Sequence, residues 1–165
     1  VSVFPEMAGL LQRLTETPDI RVGIVSRNVT IEPEETVRLV LERHHIDTSR
    51  LDFLSCLALG EEKAPLFRRI RESYDINPSR SFACGDESRD YAAAIQAGMH
   101  PWIVSYGFED HNRLVDDFKI PSEVISRTPA ELISRIHHAL DLESPVPNDE
   151  SRLHRPASTD DERGK

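Results

Sequence analysis

The sequence predicts an α/β fold, a Rossmann-like doubly wound parallel sheet with helices on both faces. Two observations carry this expectation. Short apolar, partly β-branched runs alternate with segments of helical periodicity from about residue 20 to residue 140. The most chemically loaded stretches, Ser26-Arg27-Asn28 and Gly85–Asp90, each follow directly on one of those runs, where the carboxyl ends of strands gather function in such sheets.

Taken in order, Met7, Leu10, Leu11 and Leu14 share one helical face, which predicts an amphipathic helix over Pro5–Thr17. Ile20–Val25 is short and β-branched and reads as a strand. Pro33, with Glu34 and Glu35 behind it, suits a helix start: its missing N–H costs nothing there, and the helix dipole favours carboxylates in the first turn. Val37, Val40, Leu41 and His44 continue that helix. Phe53–Leu59 reads as the second strand and Glu61–Tyr74 as a helix with Leu66, Phe67, Ile70 and Tyr74 on one side. Ser81–Cys84 is the third strand. Ser88–Ala97 is a helix closed by Gly98. Trp102–Ser105 is a fourth strand and Val124–Ser126 a fifth. Thr128-Pro129-Ala130-Glu131 is a capping box that opens a last helix with Leu132, Ile133, Ile136 and Leu140 on its face. The segment 143–165 brings Pro145, Pro147 and Pro156, mixed charge and little apolar content, and reads as a disordered tail after a core over 1–142.

Composition narrows the functional classes. The chain has 165 residues, 38% hydrophobic and 30% charged, with a formal net charge of -9 and a mean hydropathy of -0.44. That length suffices for one domain with its own core. The negative charge disfavours a nucleic-acid partner, and no apolar run approaches the roughly 20 residues of a membrane span. Residues 1–10 lack the basic and apolar regions of a signal peptide, and two cysteines, Cys56 and Cys84, provide no disulfide framework. These features fit a reducing cytoplasm. They also leave the glycosylation match Asn28-Val29-Thr30 without support.

Three groups of residues could carry chemistry. Asp86 and Asp90 lie one helical turn apart at a strand end, after a glycine that permits a sharp turn. Such carboxylates suit a hard cation such as Mg²⁺, which keeps several waters, although acids at a helix start also serve as caps. Ser26 offers a hydroxyl and neighbouring amides to a phosphate, or else simply starts a turn. Lys63 can neutralise phosphate charge or anchor a carboxylate, or be a solvated surface Lys. His44-His45 and His137-His138 lack metal-site spacing and read as packing or surface residues, and Trp102 as core.

The order Ser26, Lys63, then Gly-Asp-x-x-x-Asp over 85–90 resembles the haloacid dehalogenase-like hydrolase superfamily, in particular its phosphoglycolate-phosphatase-like branch. Pro5–Leu14, Ala92–Gly98, Val104–Phe108 and the stretch from Ile120-Pro121 to Ile133 are similar to the corresponding segments of that branch, so the resemblance spans roughly 4–141. It implies a Mg²⁺-dependent phosphatase acting on a small phosphomonoester through an aspartyl-phosphate intermediate. Ser26, with Arg27 and Asn28, would bind the transferring phosphoryl group. Lys63 would bind substrate and stabilise the charged nucleophile. Asp86 would ligate Mg²⁺, with Asp90 as the supporting acid of the metal shell. Arg27 stands where many relatives carry Asn. The stretch between Ser26 and Lys63 is too short for a large inserted cap.

One departure is large. The family's nucleophile is the first Asp of an Asp-x-Asp motif on an earlier, central strand, and residues 1–25 contain only Asp19. The core is therefore expected to lack its first strand and the nucleophile to lie outside this chain, which reads as truncated and inactive alone. A catalytically inactive binding or regulatory domain is the alternative. A dehalogenase is disfavoured, because halide displacement needs no metal. Unpaired buried backbone groups beside the missing strand would each cost about 1–3 kcal/mol, against a domain stability of about 5–15 kcal/mol.

Overall fold

The computed structural model describes residues 3–27 and 30–142. Five helices, α1 (Pro5–Glu16), α2 (Pro33–Arg43), α3 (Lys63–Ser73), α4 (Ser88–Gln96) and α5 (Pro129–Ala139), alternate with five strands, β1 (Gly23–Arg27), β2 (Phe53–Leu57), β3 (Phe82–Gly85), β4 (His100–Val104) and β5 (Ile125–Ser126). All pairings are parallel, as expected of strand–helix–strand units. Residues 143–165, expected to form a tail, lie outside the described residues.

The strands form two half-sheets, β1-β2 and β3-β4-β5. Among the described residues β1 pairs only with β2, and β3 only with β4. Each therefore keeps one edge without a strand partner. Helices join the halves. One face of α1 places Leu10, Met7 and Leu14 against Val104, Leu132 and Ile136. Another face puts Ala8 and Leu11 with Leu41, Ile46, Leu54 and Ile24. Elsewhere α3 packs on α4, where the Arg68 and Arg71 guanidiniums donate to the carbonyls of Gln96 and Ala97 that close α4.

The open edges correct one expectation. The residues along these open edges are for the most part not buried. All five residues of β1 are half-buried and Cys84 of β3 is exposed, while Ala83 is buried, so water can satisfy part of these edges and lower the desolvation cost.

Several element boundaries differ from the sequence expectation. The first strand starts at Gly23 rather than Ile20, because Asp19 takes a left-handed turn (φ 64°) and Arg21 and Val22 are tied to Asp52. The third helix starts at Lys63 rather than Glu61, because the Glu61 carboxylate accepts the Ala58 amide at 2.8 Å and closes a turn through Gly60. Val124 belongs to a 3₁₀ turn, Ser122–Val124, which leaves only two residues to β5. A π-helical turn, Arg113–Asp117, had no periodic signal in the sequence. It sends Leu114 into a core cluster with Ile103, Ile120 and Ile125.

Candidate phosphoryl-transfer site

The site is built at the carboxyl end of β3. Gly85 ends that strand, and its lack of a side chain is what lets Asp90 fold back. A Cβ on Gly85 would lie 2.2 Å from the Asp90 Cβ. Asp90, in the first turn of α4 and buried, uses both carboxylate oxygens. Oδ2 accepts the amides of Asp86 (3.1 Å) and Glu87 (3.2 Å), and Oδ1 accepts from Lys63 Nζ at 2.5 Å. Asp90 thus serves the start of α4 with one oxygen and holds Lys63 with the other. Lys63 reaches it from the first position of α3 and is itself largely withdrawn from water, with 15% of its side chain exposed.

Asp86 is arranged differently. Its Oδ2 accepts the Phe108 amide at 2.9 Å, while Oδ1 has no hydrogen-bond partner among the described residues. Gly107 makes room for it: a Cβ there would come within 2.4 Å of Asp86 Oδ2. On the floor beside these carboxylates, Cys84 is open to solvent. Surrounding protein atoms, and then the Asp90 and Asp86 charges, push its thiol up to about 12. Solvent access therefore comes without an easily formed thiolate.

Ser26 occupies the penultimate position of β1, in register with Cys56 of β2. Arg27 carries this strand end toward the other half-sheet. Its guanidinium lies 3.8 Å from the Glu87 carboxylate and 3.4 Å from the Glu61 carbonyl. The structure thus brings Lys63, Asp86 and Asp90 together directly and joins the Ser26 strand to them through Arg27. Asn28 lies outside the described residues. A cleft of about 600 Å³ at the start of α2, lined by Glu32, Glu34, Glu35, Arg38 and Cys56 among others, includes none of Ser26, Lys63 and Asp86.

Among the described residues no group of three or more His, Cys, Asp or Glu side chains could enclose a metal ion. The donor set nevertheless fits a hard cation of the Mg²⁺ kind. Such an ion is commonly held through one or two carboxylates, with water and substrate phosphate completing the shell, and among the described residues Asp86 presents one unengaged carboxylate oxygen. Both Asp90 oxygens accept hydrogen bonds, and one of them holds Lys63 beside Asp86.

Sequence reasoning missed Gly107, Phe108 and Glu109 as parts of this site. Val104–Phe108 was recognisable only as a resemblance, and nothing local indicates that the Phe108 amide turns toward Asp86. Phe108 itself is exposed. Trp102, expected in the core, is partly buried against the Leu10–Leu132 cluster and stacks on Phe82 with ring centroids 4.2 Å apart. His44 accepts the Val3 amide, as a packing residue would.

Residues 59–131, from the end of the second strand region into α5, match the family model described as HAD-hydrolase-like. No curated protein sequence matches the chain. Three solved structures share its architecture. A protein provisionally assigned as a phosphoglycolate phosphatase from Lactobacillus delbrueckii subsp. bulgaricus superposes with a TM-score of 0.63 at 20% identity, over 82% of this chain and 54% of its own. A haloacid dehalogenase-like hydrolase from Streptococcus pneumoniae gives 0.63 at 18%, over 82% and 60%. D,D-heptose 1.7-bisphosphate phosphatase from B. bronchiseptica, complexed with magnesium and phosphate, gives 0.57 at 18%, over 82% and 84%. The chain thus spans little more than half the length of the first two. The resemblance to the haloacid dehalogenase-like hydrolases holds, in sequence over residues 59–131 and in structure through the Rossmann-like α/β fold.

Proposed function

We propose that this chain carries the phosphate- and metal-binding half of a Mg²⁺-dependent phosphatase acting on small phosphomonoesters. The observation that supports it most is the arrangement at the end of β3: Lys63 neutralised by a buried Asp90, beside an Asp86 with one carboxylate oxygen unengaged. The magnesium and phosphate held by the B. bronchiseptica phosphatase make the same ligand pair reasonable for this fold.

In this reading Ser26, with Arg27 and Asn28, binds the phosphoryl oxygens. Lys63 faces the negative charge that gathers around the attacking carboxylate and the phosphoryl group, where a preformed cation costs no reorganisation. Asp90 holds that ammonium in place, and Asp86 would hold Mg²⁺, which would offset phosphoryl charge as a Lewis acid. The attacking group is a carboxylate on a strand seated between β1 and β3, where among the described residues both strands have an unpaired edge. Its oxygen forms a bond to phosphorus as the ester P–O bond breaks, and a second carboxyl protonates the departing alkoxide. Water then cleaves the acyl phosphate and restores the carboxylate.

A calorimetric titration tests the ligand set on the 165-residue chain. Mg²⁺ with inorganic phosphate should bind the native protein, and Asp86→Asn should abolish the Mg²⁺ dependence. Equal binding by that variant would remove Asp86 as a ligand. The catalytic claim is tested by p-nitrophenyl phosphate hydrolysis in a gene product extended upstream to include an Asp-x-Asp strand. If such a product binds phosphate and never turns over, the alternative of a non-catalytic phosphate-binding domain stands instead.

A further inference from the structure

Glu109 is a buried carboxylate that none of the roles above uses. It follows the loop after β4 and crosses to the start of α4. There Oε2 accepts the Ser88 amide at 2.6 Å and Oε1 lies 3.4 Å from the Ser88 hydroxyl. A negative group at that point satisfies a first-turn amide of α4 and complements the helix dipole. The same short segment returns two amides to the strand end: Glu109 N–H donates to the Asp86 carbonyl at 3.2 Å, and Phe108 N–H to Asp86 Oδ2 at 2.9 Å. Just before them, Gly107 has no side chain where the Asp86 carboxylate sits. Residues 107–109 and 86–88 thus form a reciprocal clasp that fixes both the backbone and the carboxylate of Asp86.

We infer that Glu109 is a positioning residue for Asp86, acting through the Phe108 amide, with Gly107 as the space the arrangement requires. The inference rests on the reading of Asp86 as a ligand for a hard cation. Groups that orient a ligating carboxylate matter nearly as much as the ligand itself, because a free carboxylate must be ordered at the moment of binding.

Mn²⁺, followed by its paramagnetic effect on water relaxation, serves as the probe, with Asp86→Asn as reference. Glu109→Ala should weaken Mn²⁺ binding about 10-fold or more. Glu109→Gln, which keeps an acceptor for the Ser88 amide, should return to within about 3-fold of the native protein. Gly107→Ala should weaken it comparably and serves if Glu109→Ala does not fold. A Glu109→Ala protein, or a Gly107→Ala protein, that binds Mn²⁺ as well as the native chain and shows only a lowered unfolding midpoint overturns the inference. Amide exchange separates the two levels. If native protein and Asp86→Asn bind Mn²⁺ equally, the ligand reading fails. The clasp is then judged by the Phe108 amide, which must exchange faster in Glu109→Ala and recover in Glu109→Gln. Unchanged exchange overturns it.

Discussion

Asp90 meets three demands with two oxygens. At the first turn of α4 it satisfies the amides of Asp86 and Glu87, and toward α3 it balances Lys63. Because the pair is mostly withdrawn from water, removing one partner strands the other. Lys63→Ala should destabilise the fold by about 1–3 kcal/mol, the usual cost of a buried group left without its partner, measured as a lower denaturant midpoint with unchanged slope. A surface lysine would give a change near zero. Ser126 offers the opposite case. Its hydroxyl is fully buried and has no hydrogen-bond partner among the described residues. Ser126→Ala should be neutral or stabilise by up to about 1 kcal/mol, since it deletes a desolvated group and no bond. A loss above that size would mean that the hydroxyl has a partner in solution.

At the level of elements, helix ends follow one pattern that the sequence half conceals. After α2, α3, α4 and α5 the chain turns through a left-handed residue: His45, Asp75, Gly98 and Asp141. In each case the amide of the following residue, Ile46, Ile76, Met99 or Leu142, reaches back to a carbonyl of the last turn. Only Gly98 advertises this geometry, because a residue without Cβ adopts it freely. Asp75→Gly should therefore stabilise the protein by about 1 kcal/mol, the strain of a side chain in that region, read from the urea midpoint. The contact between α1 and α5 gives a pH dependence. Burial, and then the Arg13 charge, lower the His137 pKa. The unfolded chain therefore takes up the proton first as pH falls below 6.5. Stability from this residue is present above that value and is lost on acidification. His137→Gln should lose less stability than the native protein between pH 7.5 and 5.5, and parallel losses would refute the assignment.

For the molecule as a whole, the decisive feature is the division into β1-β2 and β3-β4-β5. Helices on either side hold the halves, so the core clusters form although, among the described residues, β1 and β3 each lack a strand neighbour on one edge. Alternate amides along both strands should exchange orders of magnitude faster than those of β4, which is paired on both sides at Ile103. A strand added between β1 and β3 should protect these amides. Uniform slow exchange along β1 would show that its edge is already paired. No helix among the described residues is long and apolar enough to cross a membrane.

The sequence by itself determined the alternation of strands and helices, and with it the parallel Rossmann-like architecture, because periodicity and helix-start chemistry are local. It also offered Ser26, Asp86 and Asp90 as polar groups at the ends of apolar runs and Lys63 as a cation before a helix, and their order carried the resemblance to the haloacid dehalogenase-like hydrolases. Only the tertiary structure decided what each carboxylate does. Asp86 and Asp90 look equivalent in the chain, yet Asp90 is turned inward by the space at Gly85 and taken by Lys63 and two amides, while Asp86 is held by Phe108 from a distant loop. Glu109 was invisible for the same reason: its partner Ser88 is close in space and remote in sequence. The open edges, too, belong to the tertiary level, because whether an unpaired strand is buried or wet depends on the helices packed around it.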